Sequence, residues 1–227
     1  MPDSARLQPG FYPRFVQGMP SLQELRASHA PLLLLDAASA RIQAGRLGRT
    51  AAEDRWAEAA TEAGIGLFTA CEALQLDPAE IRAFVFCDGP GSILGIRTSA
   101  MALRTWNVLQ PRPVFGYCSL AVVAHALNRP DAQIIADARR ETWHRYVLGG
   151  QLQRVTTAEL SGPLVMPEGF RHWTTPPPGV TSTPYHLPEL LAAADRADLF
   201  TQTDSPDAFL HEEPGYKTWT PQIHRAP

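Results

Sequence analysis

Apolar residues fall in short runs that end abruptly in small or charged positions. "PLLLLDAASARIQAGRL" carries such a run to Asp36, crosses a small-residue turn and resumes, which predicts strand, tight turn, strand. From Ala51, "AAEDRWAEAATEAGIGLFTACEALQL" places Trp56, Ala60, Ala63, Leu67, Ala70 and Leu74 near helical spacing. It predicts one helix, weakened by Gly64 and Gly66. "DPAEIRAF" then leads into a strand at Phe84–Cys87. Ser92 is placed to cap a following helix with Ile96, Ala100, Leu103 and Val108 on one side. "RPVFGYCSL" reads as a strand, Ser119 to Asn128 as a short helix, and "AQIIADARRETWHRYVL" as a second strand–turn–strand. Beyond residue 150 the pattern weakens. The proline-dense stretch 163–188 predicts irregular backbone, and "LPELLAAADRADLF" one last helix. Residues 1–30 read as an N-terminal extension with a short helix from Ser21 to His29, and the tail from Asp204 as extended chain.

The two strand–turn–strand segments resemble each other. "LLLLDAASARIQAGRL" aligns without gaps on "QIIADARRETWHRYVL", matching Asp36 with Asp137 and Ala37 with Ala138. Two unrelated hairpins would give the same pattern, but the separation is about one lobe of a domain. The expectation is an α/β chain with the duplicated, two-lobed actin-like ATPase fold (RNase H-like, ASKHA). The first lobe would span 31–128, and a second, shortened lobe 129–227. In that plan Asp36 and Asp137 face a shared cleft, where they would either bridge a metal-bound phosphate or cap their own turns.

"CDGPGSILGIRT" joins a strand to a helix through closely spaced glycines. Gly89, Gly91 and Ser92 have two readings. They could bring backbone N–H groups to a phosphate at a helix N-terminus, or form a sharp turn capped by Ser92. The segment lacks the Gly-Lys-Ser/Thr ending of a Walker loop, and the one lysine of the chain is the distant Lys217.

Gly89, Pro90, Gly91, Ser92, Gly95 and Arg97 resemble the Gly-Pro-Gly-Ser-Phe-Thr-Gly-x-Arg-x-Gly signature of the TsaB (YeaZ) family, which carries an old glycoprotease (M22) label. The strand to Asp36, "GYCSL", "DARRETWHRY" and a late "EPGY" agree in order. The resemblance implies a non-catalytic partner of a TsaD-like subunit in threonylcarbamoyl modification of tRNA. That partner would form a heterodimer, work alongside a TsaE-like ATPase, and meet tRNA only indirectly. It places the interface on the helix pair 56–75 and 92–109, here Ile93, Leu94, Gly95, Ser99, Met101 and Ala102, with Arg97 structural. A homodimer is the alternative association. The alternative activity is a nucleotide hydrolase or carbamoyltransferase acting alone.

Where the family has Asp-Thr, Phe-Thr and a closing glycine, this chain has Asp36-Ala37, Ile93-Leu94 and Ser99. The lost hydroxyls predict a degenerate nucleotide or magnesium site, no cofactor and no catalytic residue. None of the seven histidines forms an i, i+4 pair, so the helical two-histidine metal motif is absent. No Ser–His–Asp arrangement stands out to support a protease.

Composition narrows the rest. A net charge of −3 argues against a wholly electrostatic nucleic-acid binder. Cys71, Cys87 and Cys118 form no CxxC pair, and their odd count predicts buried thiols in a reducing, cytoplasmic setting. No apolar run reaches membrane-spanning length and no signal-peptide pattern opens the chain. Arg139 and Arg140 read as a solvated hairpin end, His144 as exposed, and Trp143, Trp173 and Trp219 as packing residues.

Overall fold

The computed structural model describes residues 18–208. β1 (Leu32–Asp36), β2 (Ile42–Leu47) and β3 (Arg55–Ala59) form an antiparallel meander. β4 (Ala83–Gly89) and β5 (Val114–Cys118) extend it in parallel on the far side of β1. The second sheet repeats the plan with β6 (Gln133–Asp137), β7 (Thr142–Val147), β8 (Gln153–Thr156), β9 (Leu164–Pro167) and β10 (Thr181–Thr183). Strand order β3-β2-β1-β4-β5 in one sheet matches β8-β7-β6-β9-β10 in the other, so the repeated hairpins open two copies of one topology. The last strand among the described residues, β11 (Phe200–Gln202), returns from the second lobe to pair with β5 at the edge of the first sheet.

The gapless alignment of the hairpins slips by one residue. Asp36 pairs with Gln43, whereas Asp137 pairs with Trp143, so the second turn is shorter than the first. It closes through Arg139, Arg140 and Glu141, all at positive φ (64°, 51° and 60°).

Alternation along β1 sorts the helices. Leu33 and Leu35 face the cluster that includes α2 (Ala63–Ala73) and α3 (Ile93–Leu109). Leu32 and Leu34 face α1 (Leu22–His29) and α4 (Ser119–Leu127). Among the described residues the second lobe keeps only the counterpart of α4, namely α5 (Leu187–Ala193), which packs against α4. A 3-10 turn at Thr157–Glu159 stands where α2 would be, and the irregular segment 168–180 where α3 would be. The outer face of the second sheet is therefore covered over a small cluster of Ile135, Trp143, Val155 and Leu164.

The single helix expected from Ala51 is instead a 3-10 turn, strand β3 and the shorter α2. Pairing with β2 overrides local helical spacing. The Trp56 ring lies on Gly45, where a Cβ would come within 2.7 Å of it. On α3, Ile96, Ala100 and Leu103 are buried as expected, but Val108 is exposed. Five residues past Leu103 the helix has turned about 140° further, away from the sheet.

Residues 20–30 are built into the first lobe. A capping box of Ser21 and Glu24 starts α1, Leu22 and Leu25 enter the core, and Arg26 forks onto Asp54 at 2.7 and 2.6 Å. This helix lies on the face opposite α2 and α3 and leaves that pair uncovered. Trp219 and the "EPGY" segment lie outside the described residues. Among the described residues no helix is long and apolar enough to cross a membrane.

Candidate functional site: the seam and cleft between the lobes

β1 ends at Asp36, which is wholly buried. One carboxylate oxygen accepts the Ala38 N–H at 2.9 Å, closing an Asx turn. The other accepts the Tyr117 hydroxyl at 2.6 Å, from β5, and the Tyr185 hydroxyl at 2.7 Å, from the segment before α5. Burial pushes the carboxyl above its ordinary value, against the pull of both hydroxyls, the Ala38 N–H and the Cys87 thiol. Burial, followed by the nearby Asp36 charge, drives both tyrosines well upward. Beside them the buried Gln43 side chain donates to the Tyr185 carbonyl at 3.0 Å and accepts the Leu187 N–H at 2.9 Å. Sequence reasoning missed Gln43, Tyr117 and Tyr185. A glutamine between Ile42 and Ala44 in β2 was the available signal, since a buried amide must find partners.

Asp137 ends β6 in the same way. One oxygen accepts the Arg139 N–H, again an Asx turn, and the other accepts the N–H groups of Trp173 and Thr174 at 2.6 and 2.7 Å. Partial burial raises its carboxyl, but the N–H groups of Thr174, Arg139 and Trp173 outweigh it and hold the group below its usual value. Both aspartates are thus committed to protein donors. That donor set does not fit a magnesium ion bridging phosphate.

The glycine loop is occupied by the chain itself. Gly89 sits at φ 132°, a conformation side chains disfavour. A Cβ on Gly91 would lie 2.6 Å from Ala38, and one on Gly95 2.0 Å from the Ala37 carbonyl oxygen. Ser92 donates its N–H to the Ala38 carbonyl at 2.7 Å, and its hydroxyl accepts the Gly95 N–H at 3.3 Å. The β1–β2 turn therefore packs directly on these glycines, which allow the close approach, and takes the Ser92 N–H that an anion would otherwise use.

In front of this turn lies a cavity of about 360 Å³ between the lobes. The glycine loop and Ile93 form one wall, while the β6–β7 turn, Arg154, Arg171 and Trp173 form the other. Two expectations change here. His144 is half-buried and lines this cavity, and Trp173 is an exposed ring with the Arg139 guanidinium 4.3 Å from its centroid. Trp143 is a core residue, its indole donating to Thr157. Among the described residues no group of three or more His, Cys, Asp or Glu side chains could hold a metal ion.

The expected interface residues separate into two sets. Ile93, Leu94 and Met101 are exposed. Gly95, Ser99 and Ala102 are buried on the inner side, where Gly95 meets Ala37 and the Ser99 hydroxyl donates to the Gly95 carbonyl. The small-residue stripe therefore serves internal packing, with Ala102 also at the floor of a surface groove. That groove, about 410 Å³, runs between α2 and α3 past Phe68, Leu94, Met101 and Trp106. Arg97 lies along it and faces Asp207 at 3.7 Å, both side chains half exposed.

No family model matches the sequence and no curated protein matches it. Solved structures do match. YeaZ from Pseudomonas aeruginosa superposes with a TM-score of 0.55 at 17% identity, over 72% of this chain and 89% of that chain. A protein described as uncharacterized, with similarity to peptidase YEAZ from Pseudomonas aeruginosa, gives 0.54 at 16% identity over the same shares. The chain therefore has the fold of YeaZ, the two-lobed actin-like arrangement that its repeated hairpins predict.

Proposed function

We propose that this chain is a TsaB-like, non-catalytic partner that binds a TsaD-like subunit through the outer face of α2 and α3 and supports tRNA threonylcarbamoylation. The observation carrying this reading is the exposed apolar surface of Ile65 (63%), Phe68 (45%), Leu94 (73%) and Met101 (55%) around the α2–α3 groove. Apolar residues gathered along a groove, rather than scattered singly, mark an association surface. The segment resembling the family signature leads into the same helix, and the β1–β2 turn takes the Ser92 N–H of the glycine loop.

The test is co-purification with the TsaD-like protein of the same organism. Leu94→Glu and Met101→Glu should each abolish the complex while leaving the fold intact, because both side chains are solvent-exposed. A folded wild type that forms no complex overturns the reading. Self-association that these substitutions abolish would mark the face as a homodimer interface instead.

A further inference from the structure

Away from the lobe boundary, a hollow of about 330 Å³ opens beside the last turn of α2. Just past that helix the chain turns left-handed at Gln75, φ 49°, and swings into a 3-10 turn at Pro78–Glu80. The hollow lies between these residues and Trp106 on α3. Leu33 and Phe84, both buried, line its inner side. The Trp106 ring meets Phe68 edge to face, with centroids 6.5 Å apart, and Phe84 at 6.0 Å. Three aromatic rings thus line one space, whose volume falls in the lower part of the ~300–1,000 Å³ range of small-molecule sites.

The charge at this hollow is one-sided. Among the described residues Glu72 is the one charged group in its lining, and it has no ion-pair or hydrogen-bond partner. Glu72 stands in the last turn of α2, where the helix dipole already concentrates negative charge, and that turn holds no basic residue. The Arg112 guanidinium lies 5.3 Å from the Phe84 centroid but outside the lining. It donates to the Pro78 carbonyl and the Gln110 side chain, both at 2.6 Å. An anion entering here would meet Glu72 and the carbonyl end of α2 together. An ammonium group would offset both, and the faces of the aromatic rings attract a cation as well.

We infer that this hollow binds a small hydrophobic amine, its apolar body against Phe68, Phe84 and Trp106 and its ammonium group at Glu72. The inference goes beyond the proposed partner role and does not depend on the α2–α3 face having a partner.

The full chain is titrated with 4-phenylbutylamine, and separately with the neutral 4-phenylbutanol and the anionic 4-phenylbutyrate, by ligand-observed NMR. Saturable binding of the amine is expected, about fivefold tighter than the alcohol, with the carboxylate weakest. Glu72→Gln keeps the shape and removes the charge, so it should lower the amine affinity by about fivefold and leave the alcohol unchanged. The Glu72 side chain is exposed, and an unchanged thermal melt will show that the variant is folded. Cys71→Met lengthens a half-buried side chain that lines the hollow and should abolish binding. If that variant melts early, Glu72→Gln alone decides. Failure of the wild type to bind the amine overturns the proposal. So does an alcohol or carboxylate that binds as tightly, or an amine affinity that Glu72→Gln leaves unchanged. Amine binding that survives in a folded Cys71→Met variant overturns the site in the same way.

Discussion

The Tyr185 hydroxyl, from the second lobe, donates to the Asp36 carboxylate of the first at 2.7 Å, and both residues are buried. This bond and the Gln43 pair beside it form a polar seam in an otherwise apolar interface between the lobes. Tyr185→Phe removes one donor and leaves a buried carboxylate with less compensation. It should lower stability by about 1–3 kcal/mol, read from denaturant midpoints. Combined with Asp36→Asn the losses should fall short of additive, because both substitutions break the same contact.

The two aspartates should respond to pH with opposite sign. Asp36 titrates above its ordinary 3.8 in the folded chain. Its contribution is fully present below that value and is lost as pH rises through the raised one. Asp36→Asn stays neutral, so it should remove this loss, and wild type should compare best with it in acid. Asp137 titrates below 3.8, so its contribution is present above that value and lost as pH falls. The deficit of Asp137→Asn relative to wild type should shrink in acid. Urea midpoints of the three proteins across pH check both signs.

Two helical glycines should answer alanine in opposite ways. On Gly64 in α2 a Cβ meets nothing within 4 Å, so Gly64→Ala should stabilise by about 0.5–1 kcal/mol through helix propensity. On Gly95 it would lie 2.0 Å from the Ala37 carbonyl oxygen. That is backbone, which cannot swing aside as a side chain can. Gly95→Ala should destabilise by about 1–3 kcal/mol despite its better propensity. Thermal melts of the two variants decide.

The thiols should be inert in the native state. Burial, with a smaller push from Glu72, drives Cys71 up to about 11. Burial, then the charges of Asp36 and Asp88, raises Cys87 well above its ordinary value. Cys118 is buried as well. Iodoacetamide at neutral pH should leave all three unmodified until denaturant is added, with mass spectrometry as the readout.

The duplicated hairpins, the capped α3 and both Asx turns were legible because each depends on neighbours in sequence. The seam was not. Gln43 and Tyr185 are 142 residues apart, and neither carries a local signature of its partner. β3 was hidden for the same reason. Its alanine-rich segment has helical spacing, and only its pairing with β2 makes it a strand. The small-residue stripe on α3 turns inward, a direction its spacing does not encode. Glycine and serine at helical spacing permit close approach to any surface, and here that surface is the chain's own β1–β2 turn.

β11 crosses from the second lobe to the first sheet and pairs Phe200 with Tyr117, whose hydroxyl already holds Asp36. The lobes are thereby cross-braced at two levels, once by a strand and once by a side-chain latch. The chain is thus braced like a bracket, and drawing the second lobe away from the first would cost the Tyr185–Asp36 latch and strain the strand that runs back beside it.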